Sequence, residues 1–316
     1  AVTIANSLDV AKAATQLSRW DVDPQMKDVA FAPDGQIFAT ALSDGTVMLW
    51  PKAGGKPVGI QCLPSAYDSD VVAVAFASDG QTLAAASQEG IVQIWRVSSG
   101  GDTRTISLPT KGFAVENLAF APDGRTLAVS MAKGATVLLI RVSDGQPLHA
   151  LNPKGAGIVN MAFAPDSQLI ALGLQDGSVQ IWNAGDGTLR GGWQLKQKGA
   201  PELAFAPDGK TIALGLQQGE LQLWQIDGTL IQTLNSQTKA PVRPAFAPDG
   251  QTLAAARLDG TIELWQTSDG TLLRTLDGGP TKGRTSLAFS PDGEALVAAW
   301  EAGAVELWGL PAKPGA

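Results

Sequence analysis

Ala30-Phe31-Ala32-Pro33-Asp34-Gly35 opens a stretch that closes on Asp44-Gly45-Thr46-Val47-Met48-Leu49-Trp50, with the tryptophan 19 residues after the phenylalanine. The stretch recurs. Counterparts of the hexapeptide are centred on Phe76, Phe120, Phe163, Phe205, Phe246 and Phe289, at intervals of 45, 44, 43, 42, 41 and 43 residues. Self-similarity at such a period marks a repeat architecture. The second marker returns as Trp95, Trp182, Trp224, Trp265 and Trp308, each 19 after its Phe. In the third copy one extra residue within Lys133 to Ile140 puts Ile140 in the tryptophan place.

Each copy reads as four short strands. In Gln251 to Trp265 the run Leu253-Ala254-Ala255-Ala256 meets Asp259-Gly260, and Thr261 to Trp265 then alternates with period two, the pattern of two strands joined by a tight turn. Pro-Asp-Gly is itself a turn: proline presets φ at the first central position, aspartate suits the second, and glycine follows. A further turn comes after the tryptophan, as in Ser143-Asp144-Gly145 and Ser268-Asp269-Gly270. Only Leu8 to Leu17 has any helical periodicity. The expected fold is therefore all-β: a seven-bladed β-propeller of four-stranded antiparallel blades. A lone sheet leaves both faces uncovered, whereas a ring of sheets covers each with a neighbour, making the repeated Phe and Trp the filling between blades.

The last copy ends its third strand at Trp308 and runs into Gly309-Leu310-Pro311-Ala312-Lys313-Pro314, where the prolines disfavour another paired strand. Leu148, in an outer strand, lies 15 residues before Phe163, and the same count back from Phe31 lands on Gln16. Thr15 to Trp20 is thus expected to pair with Ala304 to Trp308 and close the ring. Residues 1–13 are then an N-terminal extension and residues 14–316 a single domain.

Residues 14–316 resemble the WD40-repeat family, through Ala-Phe-Ala-Pro-Asp-Gly with its six exact or near counterparts and the Asp-Gly-Thr-Val-Met-Leu-Trp of the first copy. The resemblance implies the propeller, a protein or peptide partner docked on a rim, and a buried His–Ser/Thr–Asp–Trp chain of hydrogen bonds in each blade. That chain is mostly missing. The Asp place, 13 after the Phe, holds Asp44, Asp176 and Asp259 but Glu89, Gln218 and Ala302 elsewhere; the Ser/Thr place, nine after, holds only Thr40; the histidine has no counterpart. Losing every partner is cheaper than losing some, so the tryptophans are expected to act by packing. Where the family's histidine would lie, lysine recurs as Lys111, Lys154, Lys198, Lys239 and Lys282.

The 316 residues carry a formal net charge of −7, with 44% hydrophobic and 17% charged residues, enough chain for one large all-β domain. A single cysteine, Cys62, leaves no internal disulfide, and with a single histidine, His149, it cannot supply a zinc site of the usual ligands. No metal or cofactor is expected. No apolar run approaches the roughly 18 residues of a membrane span, and net acidity disfavours general nucleic-acid binding. The chain reads as a soluble, monomeric domain, with a cytoplasmic location favoured and an exported form left open. Its start at Ala1 without Met reads as a processed or trimmed form, which permits flanking domains and leaves no signal peptide legible. Catalysis has little footing. His149 sits in an outer-strand pattern, no glycine-rich loop opens a helix, and acid pairs such as Asp68 with Asp70 are too sparse for a metal or glycosidase centre. The strands beside the channel read as Val, Ala, Leu and Phe, which counts against an enzyme needing convergent polar groups.

The resemblance implies that the turn before the Trp strand and the connection before the Phe strand share one rim, and that rim varies among copies. Twelve residues after the Phe stand Ser43, Gln88, Ala132, Gln175, Gln217, Leu258 and Glu301, whereas the opposite rim repeats one Pro-Asp-Gly turn formula. Differing side chains on a common frame suit selective docking. The expected function is a non-enzymatic scaffold for a protein or peptide partner, with Tyr67, Phe113, Arg257 and Trp300 as anchors and Lys111 and Lys154 as steering charges. For Trp300 packing between blades is the favoured alternative, because most other copies are aliphatic there. The alternatives are a propeller hydrolase or lyase using acidic groups near the channel, and an anion or glycan binder using the lysines.

Overall fold

The computed structural model describes residues 15–22, 25–62, 70–97, 103–107, 114–131, 135–154, 157–197, 199–236, 242–278 and 285–310. Among them are 28 strands and no helix, paired into seven four-stranded antiparallel sheets. The first blade runs β2 (Met26–Phe31), β3 (Ile37–Leu42), β4 (Thr46–Pro51) and β5 (Val58–Cys62) in spatial order. The later blades begin with β6 (Val71–Phe76), β10 (Val115–Phe120), β14 (Ile158–Phe163), β18 (Glu202–Phe205), β22 (Val242–Phe246) and β26 (Thr285–Phe289). These first strands touch one another around a closed circle, β26 meeting β2. They therefore wall an axial channel, and the fourth strands form the perimeter.

The turn chemistry sets this meander. Gly35 donates its N–H to the Ala32 carbonyl at 2.8 Å, and Asp34 Oδ1 accepts the Gln36 N–H at 2.9 Å. Gly35 stands at φ 67°, the left-handed region open to glycine. The fourth copy has Ser167 in that place at φ 63°. Its hydroxyl accepts the Asp123 N–H of the neighbouring blade at 2.9 Å.

Ring closure is formed as the strand count requires. β1 (Thr15–Asp21) pairs antiparallel with β28 (Ala304–Gly309), Gln16 opposite Trp308 and Trp20 opposite Val305. The seventh blade is thus β1, β28, β27 (Ala295–Trp300) and β26, built from both ends of the chain. Of the helical stretch considered for Leu8 to Leu17, residues 15–17 lie in β1 and the rest falls outside the described residues.

The core lies between blades. Trp50 and Phe38 stack at 6.0 Å against Val305 and Leu307 of blade seven, with Trp20 at 5.2 Å from Trp50. Burying about 150–250 Å² of such a ring at about 25 cal/mol/Å² contributes roughly 4–6 kcal/mol. Trp193 stacks on Trp224 at 5.8 Å. Ile140 faces Leu127 as Trp95 faces Leu83, so the third blade keeps register.

The repeated tryptophans do more than pack, which corrects the packing-only expectation. Trp50 Nε1 donates to Thr40 Oγ1 at 2.9 Å, one link of the hydrogen-bonded chain that the resemblance implies. In blades four, five and six the indole N–H instead reaches Gln180 (3.2 Å), Gln222 (2.9 Å) and Glu263 (3.2 Å). Each acceptor lies two residues earlier on the same strand, hence on the same face. The Trp95 and Trp308 N–H groups are buried with no partner among the described residues.

Candidate functional site

The channel has two unlike mouths. Three residues before the repeated Phe, the inner strands carry Asp28, Asn117, Asn160, Glu202, Arg243 and Ser286, with Ala73 the apolar exception. In four blades a register shift immediately precedes this residue, between Met26 and Asp28, Val71 and Ala73, Val115 and Asn117, and Ile158 and Asn160. Such bulges re-aim a side chain. A polar belt thus lines the channel, and the expectation of apolar channel strands is corrected. Its members are spaced one blade apart, and only ring closure brings them together.

The belt stitches blades. Asp28 Oδ1 accepts the Ser286 hydroxyl of blade seven at 2.7 Å, and its Oδ2 accepts the Val74 N–H of blade two at 3.1 Å. Burial pushes the Asp28 carboxyl above its ordinary value, against the opposing pull of Arg243, Ser286 and the Val74 N–H. Glu202 Oε2 accepts from Asn160 of blade four and, at 3.4 Å, from Arg243 Nε of blade six. Burial acts to lower the Arg243 pKa, but the Glu202 and Asp28 carboxylates outweigh it and hold the guanidinium charged. Gly215 lets β22 come this close, since a Cβ there would collide with the Val242 carbonyl.

Above the belt, on the rim with the turns before the Trp strands, opens a cavity of about 520 Å³ to which blades one, two, three, four, six and seven contribute. Lys27 stands 3.7 Å from both Asp70 and Glu301. Asp28, Glu116 and Arg243 complete its charged lining, so acids outnumber bases. A second cavity of about 330 Å³ adjoins it, sharing Val159 and Arg243 and adding the apolar Leu216, Val242 and Leu258. Gln88, Gln175 and Glu301 line the first cavity and Gln217 and Leu258 the second, which puts the variable position twelve after the Phe at this mouth.

The anchors expected from sequence are dispersed. Arg257 is 0% exposed; its Nη2 lies 2.7 Å from Glu263 Oε2 and its Nη1 3.2 Å from the Gly219 carbonyl. Trp300 is also 0% exposed, lies over Gly278, where a Cβ would strike its ring, and donates to Glu306 Oε2 at 3.2 Å. Both therefore sit beneath the rim, and for Trp300 the packing alternative is the one formed. Lys154 is exposed and stands outside both cavities. Tyr67, Lys111 and Phe113 lie outside the described residues, as do Lys198, Lys239 and Lys282. His149 Nε2 lies 3.0 Å from the Gly185 carbonyl on the perimeter. Among the described residues no group of three or more His, Cys, Asp or Glu could hold a metal, and no helix is long and apolar enough to cross a membrane.

Comparison with known proteins identifies one family: the model described as IFT122 first β-propeller matches residues 25–309. No curated protein matches the chain.

Proposed function

The chain belongs to the IFT122 first β-propeller family, a WD40-type fold commonly used for protein–protein interaction, and from that premise we propose that it is a non-enzymatic scaffold docking a protein or peptide partner over the upper mouth. The observation that supports this reading is the 520 Å³ cavity, to which six blades bring different side chains. Its acids outnumber its bases, so a partner segment with lysine or arginine is complementary. Tyr67 and Phe113, in the connections before the second and third inner strands, would add anchors, while Lys111 and Lys154 would steer acidic groups elsewhere on the partner, the cavity itself taking its lysine or arginine. Arg257 and Trp300 would act as buried supports of the rim. A hydrolase is disfavoured because Asp28 and Glu202 are held by donors from neighbouring blades, which leaves them as wall fasteners rather than free bases.

Crosslinking capture with the wild-type chain and with Glu116→Lys/Glu301→Lys tests the reading. The variant is expected to lose partners that the wild type crosslinks through this rim. Undiminished capture of the same partners would refute the upper-mouth placement.

A further inference from the structure

The lower mouth has the opposite chemistry. Between blades three and six an open cavity of about 490 Å³ lies among the Pro-Asp-Gly turns, and every residue lining it has an apolar side chain. Phe163, Phe205 and Phe246, at the ends of β14, β18 and β22, form the wall, and Pro165, Pro207 and Pro248 stand at the lip. The prolines are exposed, and Phe205 and Phe246 are only half-buried. Part of the Phe205, Phe246 and proline surface thus faces solvent at the channel's end, while Phe163 is buried in the core between blades and forms the floor.

Around this wall sits an acidic collar. Asp123, Asp166, Asp208 and Asp249 are exposed, and each accepts the backbone N–H two residues later at 2.8–2.9 Å. The carboxylates are therefore fixed in place rather than free to swing away. Asp186, Asp227 and Asp269, on the turns after the third strands, add a second tier on the same rim. The basic side chains on these turns are fewer: Arg125, Lys210, and Arg141, which is paired to Asp144 at 2.8 Å. The field over the apolar opening is negative, which repels nucleic acids and anionic lipid surfaces and attracts a cationic segment.

We propose that the lower mouth docks a basic segment of a protein partner, which inserts one aromatic or aliphatic side chain between Phe163, Phe205 and Phe246 while its flanking lysines or arginines meet the aspartate collar. This surface is separate from the upper mouth, and its success or failure leaves that reading untouched.

The test uses the whole chain and three fluorescein-labelled peptides: Arg-Lys-Leu-Phe-Lys-Arg, Glu-Glu-Leu-Phe-Glu-Glu and Arg-Lys-Ser-Ser-Lys-Arg. Saturable binding of the first is expected, with the other two about tenfold weaker or more, because each lacks one half of the complementarity. Asp166→Asn/Asp208→Asn/Asp249→Asn should weaken the first peptide about tenfold at low salt while the protein stays folded, since asparagine keeps the acceptor that holds each turn. Ala204→Leu, which fills the opening, should abolish binding; if it fails to fold, the triple variant decides alone. Alanine-methyl NMR should shift Ala162 and Ala204. No saturable binding, equal binding of the acidic and basic peptides, indifference to the triple variant, or shifts confined to Ala114 and Ala200 at the upper mouth would each overturn the proposal.

Discussion

Arg19 Nη1 lies 2.5 Å from Glu306 Oε1, 287 residues further along the chain, and thereby clamps β1 to β28. The other Glu306 oxygen takes the Trp300 indole at 3.2 Å. The Glu306 side chain is wholly buried and the Arg19 side chain 30% exposed. Burial pushes the Glu306 carboxyl above its ordinary 4.5, opposed by the Trp300 N–H and the Arg19 charge.

Arg19→Met leaves that buried carboxylate without its counter-charge. Removal of one partner from a fully buried pair costs about 3–5 kcal/mol, and the partial exposure of Arg19 brings the expectation down to roughly 2–3 kcal/mol at neutral pH. A carboxyl whose folded pKa is raised weakens folding above that pKa, and the penalty disappears below the unfolded value near 4.5. The destabilisation should therefore shrink as pH falls toward 4.5, and Glu306→Gln should gain stability relative to wild type as pH rises from there to neutral. Urea unfolding at the two ends of that range checks both signs.

Trp265→Ala should cost about 3–5 kcal/mol, measured as a lowered Tm, through the cavity it opens between blades. Trp265→Phe, which keeps most of the ring and removes only the N–H to Glu263 at 3.2 Å, should cost markedly less, on the order of 1–2 kcal/mol. Equal losses for the two would mean that the hydrogen bond, not packing, carries the residue.

Ser167 combines a left-handed backbone with an inter-blade hydrogen bond. Ser167→Ala keeps the strain and loses the bond, so a loss of about 1 kcal/mol is expected. Ser167→Gly loses the bond and relieves the strain, roughly 1 kcal/mol each way, and should leave stability nearly unchanged. Denaturation midpoints of the two variants separate these contributions.

Blade number, register and ring closure were legible because they repeat: Phe to Trp spacing survives in six of seven copies, and the missing outer strand of the last copy points to Thr15–Trp20. The polar belt was not legible in the same way. Within one inner strand Asp28 beside Lys27, or Glu202 at the head of Leu-Ala-Phe, reads as an ordinary strand-end charge, and its meaning depends on neighbours about 43 residues away that only the closed ring places beside it. The offset of three before each Phe was the available signal. Likewise Trp300 reads as exposed or packed until Gly278, 22 residues earlier, is seen to vacate the space beneath it. Gln180, Gln222 and Glu263 could have been found by period two, two residues before their tryptophans.

With a partner in hand, the proposed anchor role of Phe113 predicts that Phe113→Ala weakens binding by about 1–3 kcal/mol without changing the folding rate. Lys111→Glu should lower the association rate mainly at low salt, because steering charges act over a Debye length of about 10 Å at 0.1 M. Surface-plasmon-resonance rates at two ionic strengths distinguish the two roles.

The upper mouth as the partner site is tested most directly by hydrogen–deuterium exchange of the propeller with and without a captured partner. Protection is expected at Lys27 and Asp28, at Asp70 to Val72 and at Glu116 and Asn117, the segments that bound the 520 Å³ cavity. Protection confined to the Pro-Asp-Gly turns, with those three segments unchanged, would contradict it.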